Sequence, residues 1–154
     1  KIDSSEIATI FTEEFNIMWG DGPGGKPDSK FGVKKPYRAV QSIKLLDTTV
    51  SVQFSPTSLK QPWEETSNGL IGKTLLAASQ SIDMALFVFS DQQLVNVLET
   101  THQRGVQIRA LIDPDFAYRS YSEALDMMGV TFAKDCKVEV NNRPWRNPIS
   151  TVGV

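Results

Sequence analysis

Covalent catalysis needs an activated nucleophile with an acid or base partner, and this sequence offers few. It holds one histidine, His102, and one cysteine, Cys136. Ser55 and Ser90 each follow a phenylalanine, Phe54 and Phe89, at the end of a β-rich run, where a serine nucleophile would need His102 and an aspartate in triad geometry that a residue count cannot supply. Asp113 and Asp115 flank Pro114; the pair can offer carboxylates to magnesium, or Asp113-Pro114 can start a turn. Lys34, Lys35 and Arg38 surround Pro36 and Tyr37, a basic-aromatic cluster that can touch phosphates and stack on a base, or can be a solvated linker. His102 falls at the end of a predicted helix, where an imidazolium gains a few tenths of a kcal/mol from the dipole. Cys136 has no activating neighbour and reads as an inert thiol. No catalytic residue, metal site or cofactor site follows from these groups.

The elements that must position them centre on residues 81–113. Ser81–Ser90 is an almost unbroken apolar run, Asp91–Gly105 an amphipathic segment ended by glycine, and Val106–Asp113 a second β-rich run. That is the pattern of a strand, a crossover helix and a parallel strand. The first strand is apolar on both faces apart from Asp83, which predicts helices covering both sides. Asp91 is the expected N-cap, and Leu94, Val95, Leu98 and Thr101 the buried stripe. Upstream, Val50–Phe54 alternates with period two, predicting a strand over 50–54 with an earlier one at 41–46. Ile71, Leu75, Ala78 and Ile82 place a helix over 66–80, whose first turn Gly69 and Gly72 weaken by about 1 kcal/mol each unless close packing compensates. Downstream, Pro114–Tyr118 reads as loop. Ser120 or Ser122 caps a short helix containing Leu125 and Met128, and Gly129 closes it before a strand over 130–133. Residues 137–140 alternate as an edge strand. Phe87, Phe89, Met127 and Met128 read as core filling.

At the amino terminus, Asp3 or Ser4 caps a helix that places Ile7, Phe11, Phe15 and Met18 on one face. An apolar face of that size should bury against the 66–104 helices or a neighbouring chain, which makes the 7–18 helix a self-association surface. The Gly20–Pro27 stretch then acts as a linker; a phosphate loop would need a strand before it and a Lys-Ser/Thr pair opening a helix after it. The chain has 154 residues, 16 basic against 18 acidic, for a net charge of -2. No global basic field draws it to nucleic acid or anionic lipid. One cysteine excludes a disulfide framework and leaves a cytoplasmic or periplasmic setting open. No run approaches the ~20 apolar residues of a membrane span, so the chain reads as soluble.

Three pieces in order resemble the phospholipase D-like superfamily: Val50-Ser51-Val52-Gln53-Phe54-Ser55-Pro56; the run from Ala78 to Ser90; and Leu94 and Leu98 followed by Arg104-Gly105-Val106-Gln107-Ile108-Arg109-Ala110-Leu111-Ile112-Asp113. Ile7–Trp19 looks like the helix that closes such a module. The resemblance implies an α/β fold with a mixed, mostly parallel sheet flanked by helices. It divides the chain into the closing helix of one module with its linker, 1–45, and the first part of the next module, 46–154. It further implies metal-independent phosphodiester cleavage through a phosphohistidine, with the His-x-Lys-x(4)-Asp motif expected downstream in a longer protein. His102 does not begin that motif, because Arg104 and Arg109 stand where lysine and aspartate belong. By the resemblance, Phe54, Ser55, Phe89 and Ser90 line the substrate site, and nucleic acid is favoured as substrate through Lys34, Lys35 and Arg38. The alternatives are a non-catalytic α/β interaction or scaffold domain, and a nucleotide-binding domain whose glycine fingerprint is missing after every strand.

Overall fold

The computed structural model describes residues 2–21, 23–24, 27–55, 60–129 and 152–153. The chain is mixed α/β and forms two compact units, Lys1–Leu70 and Ile71–Val154. The hairpin strand grouped above with the 46–154 module therefore lies in the first unit with the amino-terminal helix.

In the first unit, α1 (Ser5–Trp19) starts at the Ser4 cap, whose side chain accepts from the Ile7 amide at 3.3 Å. Its buried line is Ile10 and Glu14. Among the described residues of this chain the expected apolar face stays partly exposed: Phe11 and Phe15 keep 53% and 52% of their surface accessible. Phe15 instead stacks on Trp19, with centroids 5.5 Å apart. The linker folds back on the helix through the Lys30 amide, which donates to the Ile17 carbonyl at 3.0 Å. β1 (Gln41–Leu45) and β2 (Thr48–Val52) form an antiparallel hairpin in which Gln41 faces Val52 and Leu45 faces Thr48. The second strand begins and ends two residues before the predicted 50–54. Its register is set by the two-residue Leu46-Asp47 turn, where Leu46 takes a positive φ of 53°.

α2 (Ser67–Leu76) is shorter than the predicted 66–80. Gly69 and Gly72 are buried while Ile71 is exposed, so the glycines, not the isoleucine, face inward. A Cβ on Gly69 would lie 2.2 Å from the Trp63 carbonyl oxygen. Close packing does require this glycine. Gly69→Ala, despite alanine's better helix propensity, is expected to destabilise by about 2 kcal/mol through overpacking against backbone; a urea titration would refute this by showing the propensity gain.

In the second unit, β3 (Ser81–Leu86) and β4 (Gln107–Ile112) pair in parallel, Ser81 opposite Gln107 and Leu86 opposite Ile112. A third parallel strand, β5 (Val152–Gly153), pairs with β4. Between β3 and β4 runs α3 (Gln92–Gln103). Asp91 caps it, accepting from the Gln93 and Leu94 amides at 2.9 and 3.0 Å. Leu94, Val95, Leu98 and Thr101 are buried as the spacing predicts. Gly105, at φ 88°, turns the chain into β4, a conformation that costs an L-residue. Among the described residues β3 is not covered on both faces as predicted. Its Ile82 is buried, but Ser81, Asp83 and Ala85 are exposed, as are Gln107, Arg109 and Leu111 beside them. The open face carries an Arg109–Asp83 ion pair at 2.5 Å, and the guanidinium hydrogen bond holds the Asp83 carboxyl below its usual range.

The 114–118 stretch is not loop. It contains α4 (Pro114–Ala117), with Asp113 as N-cap accepting from the Asp115 amide at 2.9 Å and Pro114 in the first turn. That is the turn-starting role of Asp-Pro. α5 (Ala124–Met127) follows Ser122, whose hydroxyl accepts from the Ala124 amide at 3.3 Å. Met127 and Phe89 are core, whereas Phe87 is 65% exposed and leans on Phe116 with centroids 4.5 Å apart. The strands expected at 130–133 and 137–140, and Cys136, lie outside the described residues.

Candidate functional site

Four of the residues singled out from the sequence meet in the first unit: Lys35, Arg38, Phe54 and Ser55. They line or adjoin a cleft of about 670 Å3 walled by Phe11, Phe15, Met18 and Phe54, with Lys35, Glu14 and Ser55 at its polar side. The cleft exists because three residues after β2 leave the hairpin ladder and are held by side chains instead. Gln53 Nε2 donates to the Glu65 carbonyl at 2.6 Å. The Phe54 ring meets the edge of Phe11 at 5.2 Å and lies under the Arg38 guanidinium at 5.4 Å. The Ser55 carbonyl accepts from Lys35 Nζ at 2.6 Å.

The cations of this stretch are not free to take a phosphate. Lys35 Nζ pairs with Glu14 Oε1, and both side chains are more than nine-tenths buried. Arg38 donates from Nη2 to Glu13 at 2.6 Å and from Nη1 to Glu14 at 3.3 Å and to the Ile10 carbonyl at 3.4 Å. Two carboxylates of α1 thus neutralise two of the three predicted phosphate contacts. Lys34 is exposed, in a 3-10 turn over Gly32–Lys34. The residues missed by the sequence reading are Glu13 and Glu14. Glu14 carried a signal: it falls in the i, i+4, i+7 line between Ile10 and Ile17, and a carboxylate on such a face must find a cation.

Phe89 and Ser90 belong to the second unit, at the carboxyl end of β3. Phe89 is buried, and its carbonyl accepts from the Glu123 amide at 2.9 Å. Ser90 is exposed, one residue before the α3 cap. Carboxyl ends of parallel strands are where open α/β sheets place their ligands. A second cleft of about 400 Å3 lies at the same end of the sheet, lined by Ala85, Phe87, Leu111, Asp113 and Pro114. His102 stands in the last turn of α3 rather than at a strand end. Among the described residues, no group of three or more His, Cys, Asp or Glu side chains is arranged to hold a metal ion, and no helix is long and apolar enough to cross a membrane.

The parallel β3–α3–β4 unit, with its capped helix and glycine-ended crossover, lies inside the span matched by a family model described as cardiolipin synthase, PLD-like domain, which covers residues 71–150, just over half of the chain. The chain belongs to this phospholipase D-like family. The matched PLD-like span begins where the second compact unit begins. The mitochondrial cardiolipin hydrolase of Mus musculus is 41% identical over 61 residues, which are 40% of this chain and 27% of the relative. The Homo sapiens protein of the same name is 40% identical over 55 residues, 36% of this chain and 22% of the relative. The chain spans about a quarter of the length of these curated relatives.

Proposed function

We propose that the chain is the scaffold part of a phosphodiesterase that works through a phosphohistidine intermediate, with the strand end carrying Ser55 in the first unit and the one carrying Ser90 in the second as separate candidates for a substrate-facing position. The observation that carries this reading is the family match over the β3–α3–β4 unit, in which exposed Ser90 lies between β3 and the Asp91 cap of α3. In this chemistry one histidine nitrogen forms a bond to phosphorus as the ester P–O bond breaks, and a second histidine gives its proton to the leaving oxygen. Water then cleaves the P–N bond. His102, with Arg104 and Arg109 after it, does not fit either role. Residues 1–154 hold one histidine and no such motif, and the compact units divide at Leu70/Ile71 rather than at 45/46.

Of the two substrate classes, a lipid phosphodiester is favoured by the apolar cleft beside Ser55 and by the relatives' names as cardiolipin hydrolases. The nucleic-acid reading keeps exposed Lys34 with Phe31 and Tyr37 nearby, but loses Lys35 and Arg38 to Glu13 and Glu14. Self-association through the 7–18 helix is supported by the half-exposed Phe11 and Phe15. The isolated 154-residue chain is expected to hydrolyse bis-(p-nitrophenyl) phosphate no faster than buffer. The full-length protein should cleave it, and should release phosphatidic acid from cardiolipin vesicles in preference to cutting a labelled single-stranded oligonucleotide. Turnover by the isolated chain, or none by the full-length protein, would overturn the reading.

A further inference from the structure

We infer that Lys35 is a positioning residue, a strut that fixes the Phe54–Ser55 strand end to α1 through Glu14. The inference rests on the proposed role of Ser55 at the substrate site. Its starting point is that the ladder of β2 stops at Val52, so among the described residues the backbone of 53–55 has no strand partner to fix it. The Ser55 carbonyl, directly before Pro56 in the sequence, is taken by Lys35 Nζ at 2.6 Å. Lysine carries its charge on a flexible stem with considerable rotamer freedom, and a lysine bound to one carbonyl alone would hold it weakly. Here the ammonium is pinned by Glu14, so its remaining donors point in fixed directions. Arg38 uses the same carboxylate and covers Phe54. Two of the holds on the strand end, those at Phe54 and Ser55, therefore converge on one buried residue of α1, while Gln53 is held separately by the Glu65 carbonyl.

A buried ammonium must satisfy its remaining donors in any case. Here the acceptor is the carbonyl of a strand end, where displacement of substrate-facing backbone by about 1 Å is enough to cost a large factor in turnover.

The test uses Lys35→Met, which keeps most of the stem and removes the charge, with Lys35→Arg as the conservative rescue. In the 154-residue chain, Lys35→Met should move the Ser55 carbonyl carbon resonance and speed amide exchange at 53–55 by about tenfold or more, while the β1–β2 ladder amides keep their protection. In the full-length protein it should lower kcat/KM by about tenfold, and Lys35→Arg should restore most of that. Glu14→Gln, which retains Lys35, should give the same pattern with smaller amplitude and decides the matter if Lys35→Met does not fold. Unchanged Ser55 resonance and exchange would overturn the inference, as would a disordered strand end with unchanged kcat/KM. A wild-type full-length protein with no phosphodiesterase activity would instead remove the proposed function, and the resonance and exchange data would then decide the positioning role by themselves.

Discussion

Glu14→Ala is expected to destabilise the first unit by about 3–5 kcal/mol, the range for removing one partner of a buried ion pair. The side chain is 6% exposed and takes Lys35 and Arg38 together. Arg38 keeps Glu13, which is itself largely solvated, so most of its electrostatic partnership survives. Lys35 keeps only the Ser55 carbonyl among its described contacts, and an ammonium with 8% exposure cannot recover its hydration in place. The loss comes from stranding that charge, not from the net worth of the pair. Glu14→Leu combined with Lys35→Met should therefore be less destabilising than Glu14→Leu alone, since no charge is left buried at that point. Urea titrations followed by tryptophan fluorescence can read this, because Trp19 and Trp63 both lie in the first unit. Equal destabilisation by the single and double variants would sink the argument.

What could be read from the sequence depended on how local its physical cause was. α3 was legible in full: the Asp91 cap, the Leu94–Val95–Leu98–Thr101 stripe and the Gly105 stop each act within one or two turns. The parallel pairing of β3 with β4 followed from the length of that crossover. The hairpin was half legible, since Leu46-Asp47 lacks the Asn-Gly or Asp-Gly chemistry that announces a two-residue turn. The ion pairs of the basic cluster were not legible because its partners sit more than twenty residues upstream on α1, and charge composition says nothing about pairing at that distance. The open face of β3 and β4 was misread because an apolar run cannot report which of its residues the described chain covers; Leu111 and Phe87 are as hydrophobic as their buried neighbours. For the site, Phe54 and Ser55 were found at a cleft, whereas Phe89 serves as core beneath an exposed Ser90.

The second unit should lose stability as pH rises from about 4.5 to about 7, and Glu123→Gln should remove that loss. Glu123 is 5% exposed at the head of α5, and burial pushes its carboxyl up to about 7, with the neighbouring Asp126 and Asp91 carboxylates adding to the shift. Below the ordinary carboxyl range the group is protonated in folded and unfolded chains alike, so it contributes no pH dependence. Through the interval the unfolded chain releases its proton while the folded chain holds it, and stability falls. Above about 7 both forms are ionised and the loss is complete, amounting to up to about 3 kcal/mol. Glutamine keeps the shape of the protonated acid, so the variant should match the parent near pH 4 and exceed it by up to about 3 kcal/mol at pH 8. Parallel slopes for the two proteins across that interval would refute the assignment. The effect bears on the proposed site, because the Glu123 amide donates to the Phe89 carbonyl at 2.9 Å. Charging Glu123 beside Asp126 therefore strains the element that braces the strand end carrying Ser90, and faster amide exchange at Glu123 above pH 7 should accompany the loss of stability.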